Sequence, residues 1–143
     1  MIRQAGIDDI PRLVAMGIRF IESSAYAGHI EPNAMSMARL ARMLIESENG
    51  LVLVYEQDGC ALGMIGVMAT FHPYSGQPVM SEMFWYVEPE SRGAGVRLLR
   101  AAEQWARDNG VLDSIMISPS PKVSAFYQRM GYVPLEEQFI KRL

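Results

Sequence analysis

Thiols are almost absent from this chain: Cys60 is the only cysteine among 143 residues. That excludes an internal disulfide and fits a reducing compartment. Histidine is nearly as scarce, with two in all, and neither stands at a ligand-like spacing, so no metal is expected. No long run of Lys or Arg occurs and the net charge is −3; the concentrated basic face of a nucleic-acid binder is missing. Long apolar runs are missing too. The longest, residues 61–71, is broken by Gly63 and Gly66 and falls well short of the ~20 residues of a membrane span. Met1-Ile2-Arg3-Gln4 carries no charged leader followed by an apolar stretch of signal-peptide length. There is no repeat, low-complexity tract or linker. These absences predict a soluble, cytoplasmic protein folded as a single domain over residues 1–143, with no nucleic-acid or membrane partner.

What is present is an ordinary globular balance, 50% hydrophobic and 20% charged. Residues 1–4 read as a short strand. Asp8 and Asp9 precede Ile10-Pro11, an N-cap followed by proline in the first turn. Ile10, Val14, Gly17 and Ile21 recur at helical spacing up to about Ser23. After a loop at residues 26–32, Asn33 is placed to cap a second helix with Met37, Leu40, Ala41 and Leu44 on one face. Leu51-Val52-Leu53-Val54-Tyr55, the turn dipeptide Asp58-Gly59 and the run at 61–71 form a hairpin signature. Pro73, Gly76 and Pro78 mark a loop, residues 80–87 a third long strand. A further helix carries Val96, Leu99, Ala102 and Ala106 on one face, with Leu98 and Trp105 beside it, and stops at Asn109-Gly110. A strand at 114–118, a helix at 122–130 and one or two strands over 132–141 complete the order β-α-α-β-β-β-α-β-α-β. This is an α+β, three-layer α/β sandwich with a mostly antiparallel first half. The eleven methionines read as adaptable packing, with Met35, Met37 and Met43 also able to line an adaptable pocket.

Between a strand and a helix stands Arg92-Gly93-Ala94-Gly95. A helix N-terminus offers unpaired N–H groups and partial positive charge to an anion. Glycines there allow close approach of a pyrophosphate and positive φ; a plain glycine-rich turn is the alternative. No Gly-Lys-Ser/Thr follows and no third spaced glycine, which excludes a nucleotide P-loop and a dinucleotide fold.

Val87-Glu88-Pro89-Glu90-Ser91-Arg92-Gly93-Ala94-Gly95 resembles the strand end and pyrophosphate loop, Val-x-Pro-x-x-Arg-Gly-x-Gly, of the GNAT acyltransferase superfamily. The helix Leu98-Leu99-Arg100-Ala101-Ala102-Glu103-Gln104-Trp105-Ala106 and the segment Ala125-Phe126-Tyr127-Gln128-Arg129-Met130-Gly131-Tyr132 are similar to the family's following helix and its Phe-Tyr-x-x-x-Gly-Phe segment. The opening residues 2–11 resemble its first strand and helix start. The family loop usually reads Arg/Gln-x-x-Gly-x-Gly/Ala. Counted from Arg92, Gly95 fits but Arg97 stands where a small residue belongs; counted from Glu90, both glycines fit but an acid comes first. The loop is about two residues short.

The resemblance implies a GNAT-like mixed sheet with strands four and five splayed. It also implies transfer of acetyl from acetyl-CoA to a primary amine of a small molecule or protein, by direct attack in a ternary complex. Cofactor contacts would come from Trp85, Tyr86, Val87, Arg92, Gly93, Ala94, Gly95, Val96, Arg97, Ser120 and Phe126. The amide near Val87 would serve the thioester carbonyl, and the backbone of residues 84–87 the pantetheine arm. Tyr127 would donate to the leaving thiolate. A phenol near ~10 against a thiol near ~8.5 makes full transfer uphill by about 2 kcal/mol, so partial donation worth around 10²-fold is expected. Glu82 is the candidate base, read as sharing a face with Phe84 and Tyr86; a solvated edge glutamate and a water chain are its alternatives. Tyr26, His29 and His72 stand in loops that would face the acceptor. The resemblance admits a homodimer. It also admits an acyl-CoA-binding protein with little turnover, acting as a regulatory or interaction module.

Overall fold

The computed structural model describes all residues, Met1–Leu143. Its elements are β1 (Ile2–Gln4), α1 (Ile10–Glu22), α2 (Ala34–Glu46), β2 (Gly50–Gln57), β3 (Cys60–Phe71), β4 (Pro78–Val87), α3 (Ala94–Asp108), β5 (Asp113–Ile115) and α4 (Pro121–Arg129), with single 3₁₀ turns at Ile7–Asp9 and Pro89–Ser91. One five-stranded sheet runs β1-β2-β3-β4-β5. The first four strands are antiparallel, and β5 joins β4 in parallel. The architecture is the expected α+β sandwich.

Local chemistry explains the elements. Asn33 caps α2 by accepting the Ser36 N–H at 2.9 Å. Asp58 and Gly59 both take positive φ, 52° and 77°, which matches the type I′ turn that suits the twist of a hairpin. Two apolar clusters fill the two faces of the sheet. On one, Ile10, Leu13 and Met16 of α1 and Ala41 and Leu44 of α2 pack against Val52, Val54 and Met64. On the other, Leu98, Leu99, Ala102 and Ala106 of α3 meet Leu51, Leu53, Ile65, Val67 and Met80, with Tyr127 of α4. The buried stripe of α1 is thus Ile10-Leu13-Met16, rotated from the Ile10-Val14-Gly17-Ile21 face that spacing suggested.

Two expectations are corrected. Residues 132–141 form no strand: the chain beyond α4 has no regular structure, and Val133, Leu135, Phe139 and Ile140 are exposed. Its apolar pattern suits a strand, but no neighbour pairs with it. Glu82 also does not share a face with Phe84 and Tyr86. Val67 pairs with Glu82 and Gly66 with Phe84, leaving Met83 as the extra residue of a bulge. The bulge flips the alternation. Met80 and Trp85 face the α3 cluster, while Phe84 and Tyr86 face the α1–α2 cluster. Phe84 crosses over Gly66, where an added Cβ would lie 2.4 Å from its ring. No helix is long and apolar enough to cross a membrane.

Candidate functional site

The sheet forks. β5 pairs with β4 only at Val79, Met80 and Ser81, so from Glu82 to Val87 the β4 edge has no partner strand on that side. Glu88 N–H donates to Leu62 O at 2.8 Å. Because successive N–H groups of a strand point to opposite sides, those of Val87 and Trp85 turn toward the open edge. The bare edge leads straight into the loop before α3.

At the crotch of the fork, the Tyr127 hydroxyl donates to Glu82 Oε1 at 2.9 Å, with Ile117 O 3.3 Å away as a second acceptor. Alternation from Met80 puts Glu82 on this face before the bulge turns Phe84 and Tyr86 away, and α4 brings Tyr127 to it. Removal from water pushes the Glu82 carboxyl up from 4.5 to about 7, against the lowering effect of hydrogen bonds from Tyr127 and the Ile117 backbone. Burial and the neighbouring Glu82 hold the Tyr127 phenol well above its usual range. Tyr132 stands next to Tyr127, ring centroids 5.3 Å apart, and donates to Glu103 at 2.9 Å. The two candidate catalytic residues are therefore in direct contact, which the sequence did not show.

The α3 loop differs from its sequence reading in one respect. Neither Gly93 nor Gly95 has positive φ. Gly95 packs tightly, since a Cβ there would lie 3.0 Å from the Trp85 ring, whereas at Gly93 nothing lies within 4 Å. The Gly93 and Val96 N–H groups find no acceptor in the chain, as a helix N-terminus leaves them. Ala94 is buried, and Arg92 is exposed. The Arg97 guanidinium lies over the Tyr55 ring, 5.5 Å from its centroid. Trp85 stacks on Phe126 at 5.6 Å, and its indole Nε1 is buried with no partner. The Ser120 hydroxyl caps α4, accepting the Val123 N–H at 3.3 Å.

The acceptor-side candidates are not gathered with Glu82 and Tyr127. His72 lies in the β3–β4 turn, accepting the Tyr74 N–H on Nδ1 at 3.1 Å. Tyr26 packs on Phe20. His29 lines a cleft of about 300 Å³ with Glu31 and Arg142.

Sequence reasoning missed the buried Glu88. Arg12 Nη2 donates to its Oε1 at 3.2 Å and Tyr86 OH to its Oε2 at 3.2 Å, and Arg19 closes the cluster. Arg12 also donates to Ala61 O at 2.8 Å. This cluster fastens α1 to the end of β4, directly before the loop. The partners lie too far apart in sequence for any local pattern to signal them.

Comparison with known proteins gives concordant results. The profile of the Acetyltransferase (GNAT) family matches residues 18–132. The uncharacterized N-acetyltransferase YhfO of Bacillus subtilis (strain 168) is 26% identical over 136 residues, which cover 92% of this chain and 88% of that protein. N-acetyltransferase family 8 member 2 of Rattus norvegicus is 28% identical over 96 residues, 64% of this chain; the match spans 42% of the rat protein's length. Among solved structures, a predicted acetyltransferase from Clostridium acetobutylicum with acetyl-CoA superposes with a TM-score of 0.81 at 18% identity, covering 99% of this chain and 95% of that one.

Proposed function

The chain belongs to the GNAT family of acetyltransferases, and from that premise we propose that it moves the acetyl group of acetyl-CoA to a primary amine of a small molecule or protein. The amine attacks directly in a ternary complex. The observation that carries this reading is the Tyr127–Glu82 hydrogen bond at the fork of the sheet.

Two features beside the pair suit acetyl-CoA. The β4 edge leaves the N–H groups of Trp85 and Val87 free for an extended, amide-bearing arm. The space over Gly93, beside unpaired N–H groups at the start of α3, admits phosphate. Trp85, Val87 and the Tyr86 backbone would hold the arm, and Arg92, Gly93, Ala94, Gly95 and Val96 the pyrophosphate. Bound acetyl-CoA supplies an activated thioester carbonyl. Glu82, with its pKa near neutrality, is matched to accept a proton from the amine, and Tyr127 holds its O–H directly against that carboxylate. A module that merely binds acyl-CoA has no use for a desolvated carboxylate held against a phenol, so the pair favours turnover.

The test is thiol release from acetyl-CoA against a panel of primary amines. Amine-dependent release is expected. Tyr127→Phe should lower it ~10²-fold while leaving acetyl-CoA affinity unchanged. A Phe variant with wild-type turnover would contradict the role of Tyr127.

A further inference from the structure

Tyr127 has a single hydroxyl proton, and its nearest acceptors are Glu82 Oε1 at 2.9 Å and Ile117 O at 3.3 Å. While Glu82 carries charge, the stronger acceptor is the carboxylate, because hydrogen bonds to ionised groups outweigh neutral ones. The phenol proton is then turned toward Glu82 and away from any other acceptor in the fork. A base and an acid in this arrangement cannot act independently.

Resting on the acetyl-transfer reading, we propose that Glu82 and Tyr127 form one proton relay with a fixed order: Glu82 must take the amine proton before Tyr127 can release its own to the leaving sulfur. The steps balance. The amine nitrogen forms its bond to the acetyl carbon and loses a proton to a Glu82 oxygen. The protonated carboxyl becomes a donor, and the Tyr127 oxygen becomes its acceptor. The phenol O–H is thereby freed from the carboxylate and passes to the sulfur as the C–S bond breaks. The Glu82 proton moves to the Tyr127 oxygen, which restores a carboxylate and a neutral phenol. One proton travels from nitrogen to sulfur, and neither residue ends altered. Tyr127 never needs to exist as a tyrosinate, in keeping with surroundings that disfavour its ionisation. The groups facing the pair are the Ile117 backbone and Tyr132 from the segment after α4, itself bonded to Ser114 and Glu103. None of these offers a competing cation.

Two measurements decide it. The first is a double-mutant cycle on turnover. Tyr127→Phe and Glu82→Gln should each cost ~10²-fold, and the double variant should be no slower than the slower single one, because either change breaks the same chain. Losses that multiply toward ~10⁴ would overturn the relay and leave two independent catalysts. The second needs no substrate: the titration of Glu82 in the free protein, followed by its carboxyl infrared band and assigned against Glu82→Gln. Tyr127→Phe removes a donor to the charged form and should shift the Glu82 titration to higher pH. An unchanged titration would overturn the relay, since the hydrogen bond would then be absent in solution. A shifted titration with no acetyl transfer by the wild type would overturn the functional reading and the relay with it, while leaving the contact itself intact.

Discussion

Glu82 illustrates how a candidate site residue is made costly to the fold. Its carboxyl ionises near an ordinary ~4.3 in an unfolded chain but at about 7 in the folded one. The folded state thus binds the proton more tightly. That contribution to stability is fully present below the unfolded value and lost as pH rises through about 7. Glu82→Gln cannot titrate, so relative to the wild type it should gain up to about 4 kcal/mol at alkaline pH and little in acid. Urea denaturation of both proteins across pH checks this. The same titration sets the activity profile. Base catalysis by Glu82 predicts a wild-type kcat/KM that falls on the acid side of about pH 7, and the residual rate of the Gln variant should lack that limb. At this scale the sequence was informative about identity and not about contact. Tyr127 and Glu82 stood out by motif and strand position. Their mutual hydrogen bond could not be read, because it joins residues 45 positions apart, and the bulge at Met83 separates Glu82 from Phe84 and Tyr86 without any change of composition.

Among the elements, the junction of β4 and α1 governs how the loop is presented. Glu88 is 7% exposed, while its partners Arg12 and Arg19 are about a third exposed, their side chains at 33% and 39%. Removing the carboxylate leaves two guanidinium groups facing each other with water able to reach them, so the penalty falls below that of a fully buried pair. Glu88→Ala is expected to cost about 2 kcal/mol, read as a lower denaturation midpoint with an unchanged slope. An effect within about 0.5 kcal/mol, the range of ordinary surface changes, would show that the cluster does not hold α1 to β4. The elements with local causes were legible: the Asn33 cap, the Asp58-Gly59 turn and the amphipathic face of α3. The tail was not, because alternating apolar residues signal a strand only when a sheet edge receives them, and residues 132–143 meet none. Nor was the close packing of Gly95 against the Trp85 indole, which involves no special backbone φ.

For the whole molecule, the bare β4 edge runs directly into the start of α3. Gly93 is where a role for this junction can be separated from mere folding. Its φ of −60° and the absence of neighbours within 4 Å mean that a side chain there is tolerated by the protein. An acid at that position would even stabilise the helix by ~0.3–1 kcal/mol through the helix dipole. The same acid would oppose a bound pyrophosphate by charge and bulk. Gly93→Asp therefore pulls stability and ligand affinity in opposite directions. The decisive measurement is isothermal titration of acetyl-CoA into the wild type and Gly93→Asp, with melting temperatures taken on the same samples. Micromolar binding by the wild type is predicted, weakened at least ~10-fold in the variant while its melting temperature holds or rises. Equal affinity in the two proteins, or no binding by the wild type, would contradict the placement of acetyl-CoA along β4 and at the start of α3.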